Sequence, residues 1–236
     1  MEKEEEKISE KDLNILLYKV THDIKGPLSS IVGLANVGLM EISDENAKMY
    51  LKRIKSSTEK LHAFVSDLLN VTKITIKDAD QERINFQELL DDILNSLQFI
   101  PNFKDIDINI NIQESEPFYS DSMMLYSIFQ NIIENSIKYS DSSKPQSYLK
   151  IKIKSKDKKT IVEFEDNGIG IEDNLNEKVF EMFFRATDNS GGNGLGLYIV
   201  KKSIEKLNGT VTITSKLGEG TVTTVVFNHF EPVTKQ

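Results

Sequence analysis

The sequence predicts an α+β protein in which a helical hairpin is followed by an α/β sandwich, with helices covering one face of a mixed sheet. Two observations lead to this prediction. Residues 8–76 contain two long runs whose apolar residues recur at three- and four-residue steps, the spacing of one helix face. Beyond residue 84, shorter runs with apolar residues at every second position alternate with further helical runs. That mixture is typical of strands interleaved with helices.

The first half of the prediction depends on two amphipathic helices, one over about residues 8–42 and one ending near residue 76. Ser43 or Asp44 is a candidate N-cap for the second helix. A lone hairpin leaves much of its apolar stripe in water, so we expect two copies to pair as a homodimer into a four-helix bundle. The apolar positions are Leu13, Leu17, Val20, Ile24, Leu28, Ile31 and Ala35 in the first helix, and Leu51, Ile54, Leu61, Phe64, Val65 and Leu68 in the second.

A polar segment without periodicity, KDADQER at residues 77–83, is predicted to link a domain at 1–76 to one at 84–236. The second domain is predicted to begin with a helix over 85–99, a strand in DIDININ and a helix over 121–139. SYLKIKIKS and KTIVEFED alternate with period two around KDKK, which predicts a hairpin. A helix over about 194–207 and a last hairpin follow, in which LGEG connects TVTITSK to GTVTTVVF.

Composition excludes several classes of function. The chain is 39% hydrophobic and 28% charged, as in ordinary soluble globular proteins, and its net charge of -8 argues against nucleic-acid binding. The absence of cysteine excludes disulfides, thiolate metal sites and a cysteine nucleophile. No apolar run approaches the roughly 20 residues that span a bilayer, and the N-terminus is charged. We therefore expect no membrane contact by these residues and a cytoplasmic location, either alone or as the cytoplasmic portion of a longer membrane receptor.

The first candidate site is the segment THDIKGPL, residues 21–28. His22 lies two positions from both Val20 and Ile24, so it is predicted to point away from the apolar stripe. A neutral imidazole is a competent nucleophile toward a phosphoryl group, and Asp23 can accept its ring N–H and fix the tautomer. The alternative is a solvated helix face. His62 and His229 have no such neighbours and are not predicted sites.

The second candidate site is NIIENSIKYS, residues 131–140, on a predicted helix. Asn131, Asn135, Lys138 and Tyr139 share one side of that helix over two turns. The amide oxygen of Asn135 can complete a magnesium shell made mainly of water and phosphate oxygens, and Lys138 can supply charge to the phosphates. The alternative is a solvated face opposite the buried positions Ile128, Ile132, Ile133 and Ile137.

The third candidate site, EFEDNGIGI at residues 163–171, directly follows a predicted strand. Gly168 and Gly170 permit close approach or positive φ, and Asp166 offers an acceptor for an exocyclic amino group such as that of adenine. DNG is also a common turn sequence, so a simple turn is the alternative.

The fourth candidate site is GGNGLGLYIVKK, residues 191–202, where the glycines at positions 191, 192, 194 and 196 lie at the start of a predicted helix. Free backbone N–H groups and the positive end of the helix dipole favour a bound phosphate. Upstream, VFEMFFRA places Phe180, Phe183 and Phe184 before TDNSGG, which is predicted to be a lid over a nucleotide. Arg185 would reach the γ-phosphate. Core packing of the phenylalanines is the alternative.

The order of the motifs HDxxxP, NxxxNxxKY, DNGxG, FxxFFR and GxGLGL resembles that of the sensor histidine kinases, from about residue 10 to residue 228. The resemblance implies a dimerisation and histidine phosphotransfer hairpin followed by a Bergerat-type ATP-binding domain, the fold shared with gyrase and mismatch-repair ATPases. It implies that His22 is phosphorylated from magnesium ATP with Asp23 as acid/base partner. The phosphate would then pass to an aspartate on a response-regulator receiver domain.

The resemblance also implies roles within the nucleotide site. Asn135 would ligate Mg²⁺, Asn131 and Lys138 would lie near the phosphates, Tyr139 would lie against the adenine, and Asp166 would bind its amino group. Arg185 would offset charge on the transferred phosphoryl group. The pocket and lid would be completed by Gly168, Gly170, Phe180, Gly192, Gly194, Gly196 and Leu197.

Three positions bear on how closely the chain follows this family. Related ATPases carry a glutamate that activates water where this chain has Asn131, a poor base, which favours transfer to histidine. Gly26 replaces the usual threonine or asparagine four residues after the histidine, which puts phosphatase activity in doubt. Asn193 replaces a frequent threonine or serine and keeps hydrogen-bonding capacity. Two other functions remain open: a nucleotide-binding scaffold with a silent His22, and a protein serine kinase or plain ATPase on the same fold.

Overall fold

The computed structural model of the chain describes residues 10–76, 79–186 and 193–229. The chain divides after Lys77 into two compact units. Each unit has its own secondary structure and its own buried residues, and the candidate sites are distributed between them.

The first unit is a helical hairpin made of α1 (Glu10–Glu41) and α2 (Glu45–Ile76). Of the two predicted N-caps for the second helix, Asp44 is the residue whose Oδ1 accepts a hydrogen bond, from Ala47 N at 2.8 Å. The helices approach closely near their connection, since a Cβ added to Gly38 would lie 2.9 Å from Leu51 Cδ1. The apolar residues buried in the described part of this unit are Leu28, Ala35, Val65 and Leu69.

The hairpin leaves many of its large apolar side chains exposed, as expected for a unit of only two helices. Leu34 is 72% exposed, Val20 is 46% exposed and Ile31 is 42% exposed. Much of the predicted apolar stripe therefore lies on the outside of this unit. Among the residues of the hairpin whose burial is described, the other exposed apolar ones are Ile24, Val37, Met40, Ile42, Met49, Tyr50, Ile54 and Leu61.

The second unit is an α/β sandwich, which confirms the predicted fold. Its described α-helices and β-strands are β1 (Glu82–Arg83), α3 (Phe86–Leu97), β2 (Ile106–Glu114), β3 (Tyr119–Ser120), α4 (Ser122–Lys138), β4 (Ser147–Lys156), β5 (Lys159–Asp166), α5 (Gly196–Lys206), β6 (Thr210–Lys216) and β7 (Gly220–Asn228). Five of the strands form one sheet in the order β2-β4-β5-β7-β6, with β2 parallel to β4 and the other neighbours antiparallel.

Two short strands were not predicted. Strand β1 pairs antiparallel with β3 in a separate two-stranded ribbon, where Glu82 faces Ser120 and Arg83 faces Tyr119. Strands of two residues are too short to show a period-two pattern. Because β1 falls within residues 77–83, the end of the predicted linker is part of the second unit.

The core of the second unit lies between the helices and one face of the sheet. Along β4, Leu149, Ile151 and Ile153 are buried, whereas Lys150 and Lys152 alternate with them on the outer face. Aromatic rings join the layers: Phe129 of α4 stacks on Phe86 at 6.2 Å and meets Phe164 of β5 edge to face at 5.2 Å, both measured between ring centroids. This packing holds α4 against the sheet and brings its C-terminal half beside the end of β5. No helix in the described part of the chain has an apolar stretch long enough to span a bilayer.

Candidate functional site

The last residue of β5, Asp166, is held by hydrogen bonds from two directions. Its Oδ1 accepts from Gly168 N at 2.9 Å, and its Oδ2 accepts from Ser136 Oγ of α4 at 3.1 Å. Burial raises the pKa of the Asp166 carboxyl, while hydrogen bonds from Gly168, Ser136 and the Thr221 backbone act in the opposite direction. A carboxylate offers about four acceptor positions, so Asp166 retains capacity for a further donor.

The DNG segment after β5 forms a turn whose backbone lies close to that of Tyr139 on one side and Lys216 on the other. A Cβ on Gly168 would lie 2.4 Å from Tyr139 O, and one on Gly170, where φ is +69°, would lie 2.0 Å from Lys216 O. Ile169 N donates to Tyr139 O at 2.9 Å. Both glycines are therefore required by close backbone approach. The segment changes the direction of the chain after β5, and the same segment fixes the Asp166 carboxylate.

The polar side of α4 lies next to this turn. Asn131, Asn135, Lys138 and Tyr139 are all half-buried, so this side is not a fully solvated face. Tyr139 closes the helix by donating its N–H to Asn135 O at 2.9 Å, and Lys138 Nζ lies 5.4 Å from the centre of the Tyr139 ring. The opposite side of the helix is apolar and buried, as predicted.

The glycine-rich segment at the start of α5, here called the glycine box (residues 193–196 of those described), lies beside Asn131 on the polar side of α4. A Cβ on Gly196 would lie 2.8 Å from Asn131 Oδ1, and Asn131 Nδ2 donates to Ser127 O at 2.7 Å. The amide of Asn131 is thus fixed in place beside the first residue of α5. Helix N-termini attract anions, so this arrangement suits a phosphate group.

The FxxFFR segment contacts the same glycine box through its backbone. Phe183 N donates to Gly194 O at 3.0 Å, and a Cβ on Gly194, where φ is +72°, would lie 2.6 Å from Phe183 C. Asn193 Oδ1 accepts from Leu195 N at 3.2 Å, so this replacement for threonine or serine keeps a hydrogen bond. Gly192 and the rest of TDNSGG, residues 187–192, lie outside the described residues.

The three phenylalanines of this segment have different surroundings. Phe180 is buried, which fits core packing, whereas Phe183 is 52% exposed with a φ of +65°. Phe184 is half-buried, and Arg185 is exposed. Leu197 of α5 is half-buried against the core of the unit. Among the three rings, Phe183 is therefore the most accessible to a ligand.

The candidate acceptor histidine lies in the first unit, on α1. The side chain of His22 is 69% exposed, so it points outward, and its Nδ1 lies 3.2 Å from Asp23 Oδ1. Helix α1 continues through Pro27, and the buried neighbours of this turn are Thr21 and Leu28. An accessible imidazole beside a carboxylate is suited to accept an electrophile on its distal nitrogen.

The amide of Asn135 is the candidate magnesium ligand of the second unit. Among the described residues, no group of three or more histidine or carboxylate side chains could hold a metal ion. Magnesium often takes one or two protein ligands together with phosphate oxygens and water. The half-buried amide of Asn135, between Asn131 and Lys138 on α4, fits such a shared shell.

Sequence reasoning missed three polar residues that shape the turn after β5: Ser136, Lys144 and Asn167. Ser136 gave a signal, because it interrupts the apolar side of α4 and is buried there. Lys144 lies in a loop without periodicity, and a DNG sequence favours a turn whatever contacts Asn167 makes. The hydrogen-bond partners of Lys144 and Asn167 are distant in sequence, so no local pattern identifies these two residues.

Two family models match the chain. Residues 12–76 match the His Kinase A (phospho-acceptor) domain, and residues 120–231 match the histidine kinase-, DNA gyrase B- and HSP90-like ATPase family. Sensor histidine kinase AtsR of Burkholderia thailandensis is 31% identical over 217 residues, which cover 88% of this chain and 36% of that protein. Autoinducer 2 sensor kinase/phosphatase LuxQ of Vibrio vulnificus is 30% identical over 86% of this chain and 25% of its own length. The chain thus spans little more than a third of these relatives at most.

Solved structures share the fold. Full-length ShkA in complex with AMPPNP superimposes with a TM-score of 0.75 at 20% identity, over 91% of this chain and 46% of that one. The Acinetobacter baumannii histidine kinase AdeS gives a TM-score of 0.63 at 20% identity, over 89% of this chain and 98% of its own. The order of a helical hairpin followed by an α/β sandwich is therefore shared with known proteins.

Proposed function

The chain belongs to the histidine kinases, and from that membership we propose that it phosphorylates its own His22 with magnesium ATP and passes the phosphate to an aspartate of a response-regulator receiver domain. The observation that carries the proposal is the exposed His22 imidazole, with Nδ1 3.2 Å from Asp23 Oδ1, in the unit that matches the phospho-acceptor family. The second unit supplies the other half of the reaction, a nucleotide site.

The His22–Asp23 pair supports a nucleophilic role. When Nδ1–H donates to Asp23, the lone pair of the imidazole lies on Nε2. Attack by Nε2 on the γ-phosphorus forms an N–P bond and breaks the bond to the bridging oxygen, so that ADP leaves. Asp23 stabilises the positive charge that develops on the ring and can take up its proton.

The second unit supports a nucleotide held at both ends. Asp166, fixed by Gly168 and Ser136, would accept a hydrogen bond from the exocyclic amino group of adenine. The N-terminus of α5 at Gly196 would face the phosphates beside Asn131, with Lys138 adding positive charge. Mg²⁺, held by Asn135 and phosphate oxygens, would neutralise charge on the transferred group. Tyr139, Phe180, Gly194 and Leu197 would form walls of the pocket, and Arg185 would approach the γ-phosphate.

Asn131 favours a kinase over an ATPase. An amide is not a general base, and Nδ2 of Asn131 is already committed to Ser127 O at 2.7 Å. Water beside the γ-phosphate would therefore not be activated by this residue, and the phosphoryl group would go to histidine instead.

The hairpin supports two partners. Its exposed apolar side chains, including Leu34 and Ile31, would be buried by a second copy of the hairpin in a four-helix bundle. A receiver domain would dock beside His22, where the phosphate is presented. The proposed reaction uses ATP, so these residues would work in the cytoplasm, alone or as a portion of a longer receptor.

Incubation of the protein with γ-labelled ATP and Mg²⁺ tests the proposal. A kinase of this class acquires a label that is lost in acid and kept in alkali, because phosphohistidine is a phosphoramidate. Tight ATP binding without protein label would instead indicate a scaffold, and released phosphate without label an ATPase. An acid-stable label would indicate a serine or threonine acceptor. Any of these last three results would contradict the proposal.

A further inference from the structure

Lys144 joins three segments of the second unit through one ammonium group. Its Nζ donates to Asn167 O at 2.7 Å, to Glu219 O at 3.1 Å and to Gly168 O at 3.2 Å. A lysine ammonium has three N–H donors, and here all three have backbone carbonyl acceptors. The side chain therefore ties the loop before β4 to the turn after β5 and to the turn between β6 and β7.

The side chain of Asn167 also links the turn after β5 to the chain that follows Lys144. Its Oδ1 accepts from Tyr148 N at 2.8 Å, and its Nδ2 donates to Gln146 O at 2.9 Å. The loop that carries Lys144 is thus bonded to the turn after β5 by two side chains. Both bonded turn residues, Asn167 and Gly168, directly follow Asp166 in sequence.

We propose that Lys144 is a positioning residue of the nucleotide site, which fixes the turn at Asn167 and Gly168 so that the Asp166 carboxylate is oriented toward the adenine amino group. This inference rests on the proposed function. Gly168 N donates to Asp166 Oδ1, so any movement of Gly168 moves a hydrogen-bond partner of the carboxylate. The effect of Lys144 should therefore fall on recognition of the base rather than on the phosphates.

The charge of Lys144, like its hydrogen bonds, should favour binding of the adenine amino group by Asp166. Its ammonium lowers the pKa of Asp166, in opposition to the larger effect of burial, and so favours the ionised acceptor form of the carboxylate. Loss of that charge should raise the pKa of Asp166 further. Adenosine binding in a neutral variant should then weaken at a higher pH than in the wild type.

The test compares ATP and GTP affinities of the full chain in Lys144→Met, Lys144→Arg and Lys156→Met. Lys156 is the control, because it lies at the far end of β4, is 60% exposed and approaches only Asp157, at 3.8 Å, among the ion pairs of the described residues. Lys144→Met should weaken ATP binding about tenfold, leave the weaker GTP binding nearly unchanged and so narrow the selectivity for adenine. Lys144→Arg, which keeps charge and donors, should restore most of the selectivity, and Lys156→Met should match the wild type.

A purely structural role predicts a different pattern. Lys144→Met would then unfold at a lower temperature and lose ATP and GTP affinity by the same factor, which would overturn the inference. Unchanged ATP affinity and selectivity in Lys144→Met would overturn it as well, while leaving the proposed function intact. A wild type that binds no ATP would contradict the proposed function itself. If Lys144→Met does not fold, Lys144→Gln keeps two N–H donors without the charge and should show an intermediate loss of selectivity.

Discussion

Ser136 Oγ of α4 donates a hydrogen bond to Asp166 Oδ2 at the end of β5, across a distance of 3.1 Å. The two residues are separated by 30 positions in the sequence. This bond connects the helix that carries Asn131 and Asn135 to the turn that carries the candidate adenine acceptor. The two halves of the proposed nucleotide site are therefore joined by a direct hydrogen bond.

Replacing Ser136 with alanine should weaken ATP binding about fivefold, because Asp166 loses a neutral hydrogen-bond donor worth about 1 kcal/mol. Titration of the protein with ATP measures the change. Ser203→Ala is a matched control, since Ser203 is also buried on a helix but its Oγ has no hydrogen-bond partner among the described residues. Equal ATP affinities in the two variants would show that the bond has no part in nucleotide binding.

Replacing Asp166 with asparagine should lower the affinity for ATP without lowering the stability of the fold. The raised pKa of Asp166 means that the ionised carboxylate is less favourable in the folded protein than in the unfolded chain. Asparagine removes this charge and can still accept from Gly168 N, while its amide can donate to Ser136 Oγ. We expect a melting temperature equal to or above that of the wild type, with ATP affinity reduced roughly 10- to 100-fold.

The pH dependence of Asp166→Asn supplies the control. In the wild type, adenosine binding should be present above the pKa of Asp166 and lost as pH falls through it. Because burial raises that pKa, the loss should begin above the ordinary range of aspartate, about 3.9. The stability contributed by this group has the opposite sign and increases as the carboxyl becomes protonated. Asp166→Asn should show neither change, and a wild-type affinity that stays constant down to the ordinary range would contradict the assignment.

The glycines of the turns offer a matched pair of substitutions. Gly170 has a φ of +69° and no room for a Cβ, which would lie 2.0 Å from Lys216 O, whereas Gly218 has a φ of +81° in open space. Gly218→Ala should lower stability by about 1–2 kcal/mol, the cost of a left-handed conformation. Gly170→Ala should lower it by roughly 3 kcal/mol or more and abolish ATP binding. Chemical denaturation measures both, and equal losses would contradict the close approach.

Gly26, four residues after His22, should be replaceable without harm to α1. A Cβ at this position meets no atom within 4 Å, so Gly26→Ala should stabilise the helix by about 1 kcal/mol. Amide exchange around residue 26 should slow about fivefold. At Gly38 the new Cβ would lie 2.9 Å from Leu51 Cδ1, so Gly38→Ala should gain less. Faster exchange in Gly26→Ala would contradict the exposed, regular helix described for this turn.

Most of the fold could be predicted because it is encoded locally. The apolar stripe of α1 and the alternation of Leu149, Ile151 and Ile153 in β4 are properties of neighbouring residues, and each gives the correct element. The ribbon of β1 and β3 is different. It depends on the pairing of Glu82 with Ser120, which no local pattern specifies.

The residues of the candidate site also fall into those that the sequence identifies and those that it does not. Glycines that must accept close backbone contacts, such as Gly168 and Gly170, are visible in sequence because no other residue fits. Lys144 is not visible, because its bond to Glu219 O spans 75 positions in the sequence. Lysines are common in loops, and only the folded arrangement of three carbonyl acceptors distinguishes this one.

Identifying the phosphorylated residue is the decisive experiment on the proposed autophosphorylation. The chain has three histidines, His22, His62 and His229, so each can be replaced singly by glutamine and labelled with γ-labelled ATP and Mg²⁺. We expect the alkali-stable label to disappear in His22→Gln and to persist in the His62 and His229 variants. Persistence of the full label in His22→Gln, or its loss only in one of the other two variants, would contradict it.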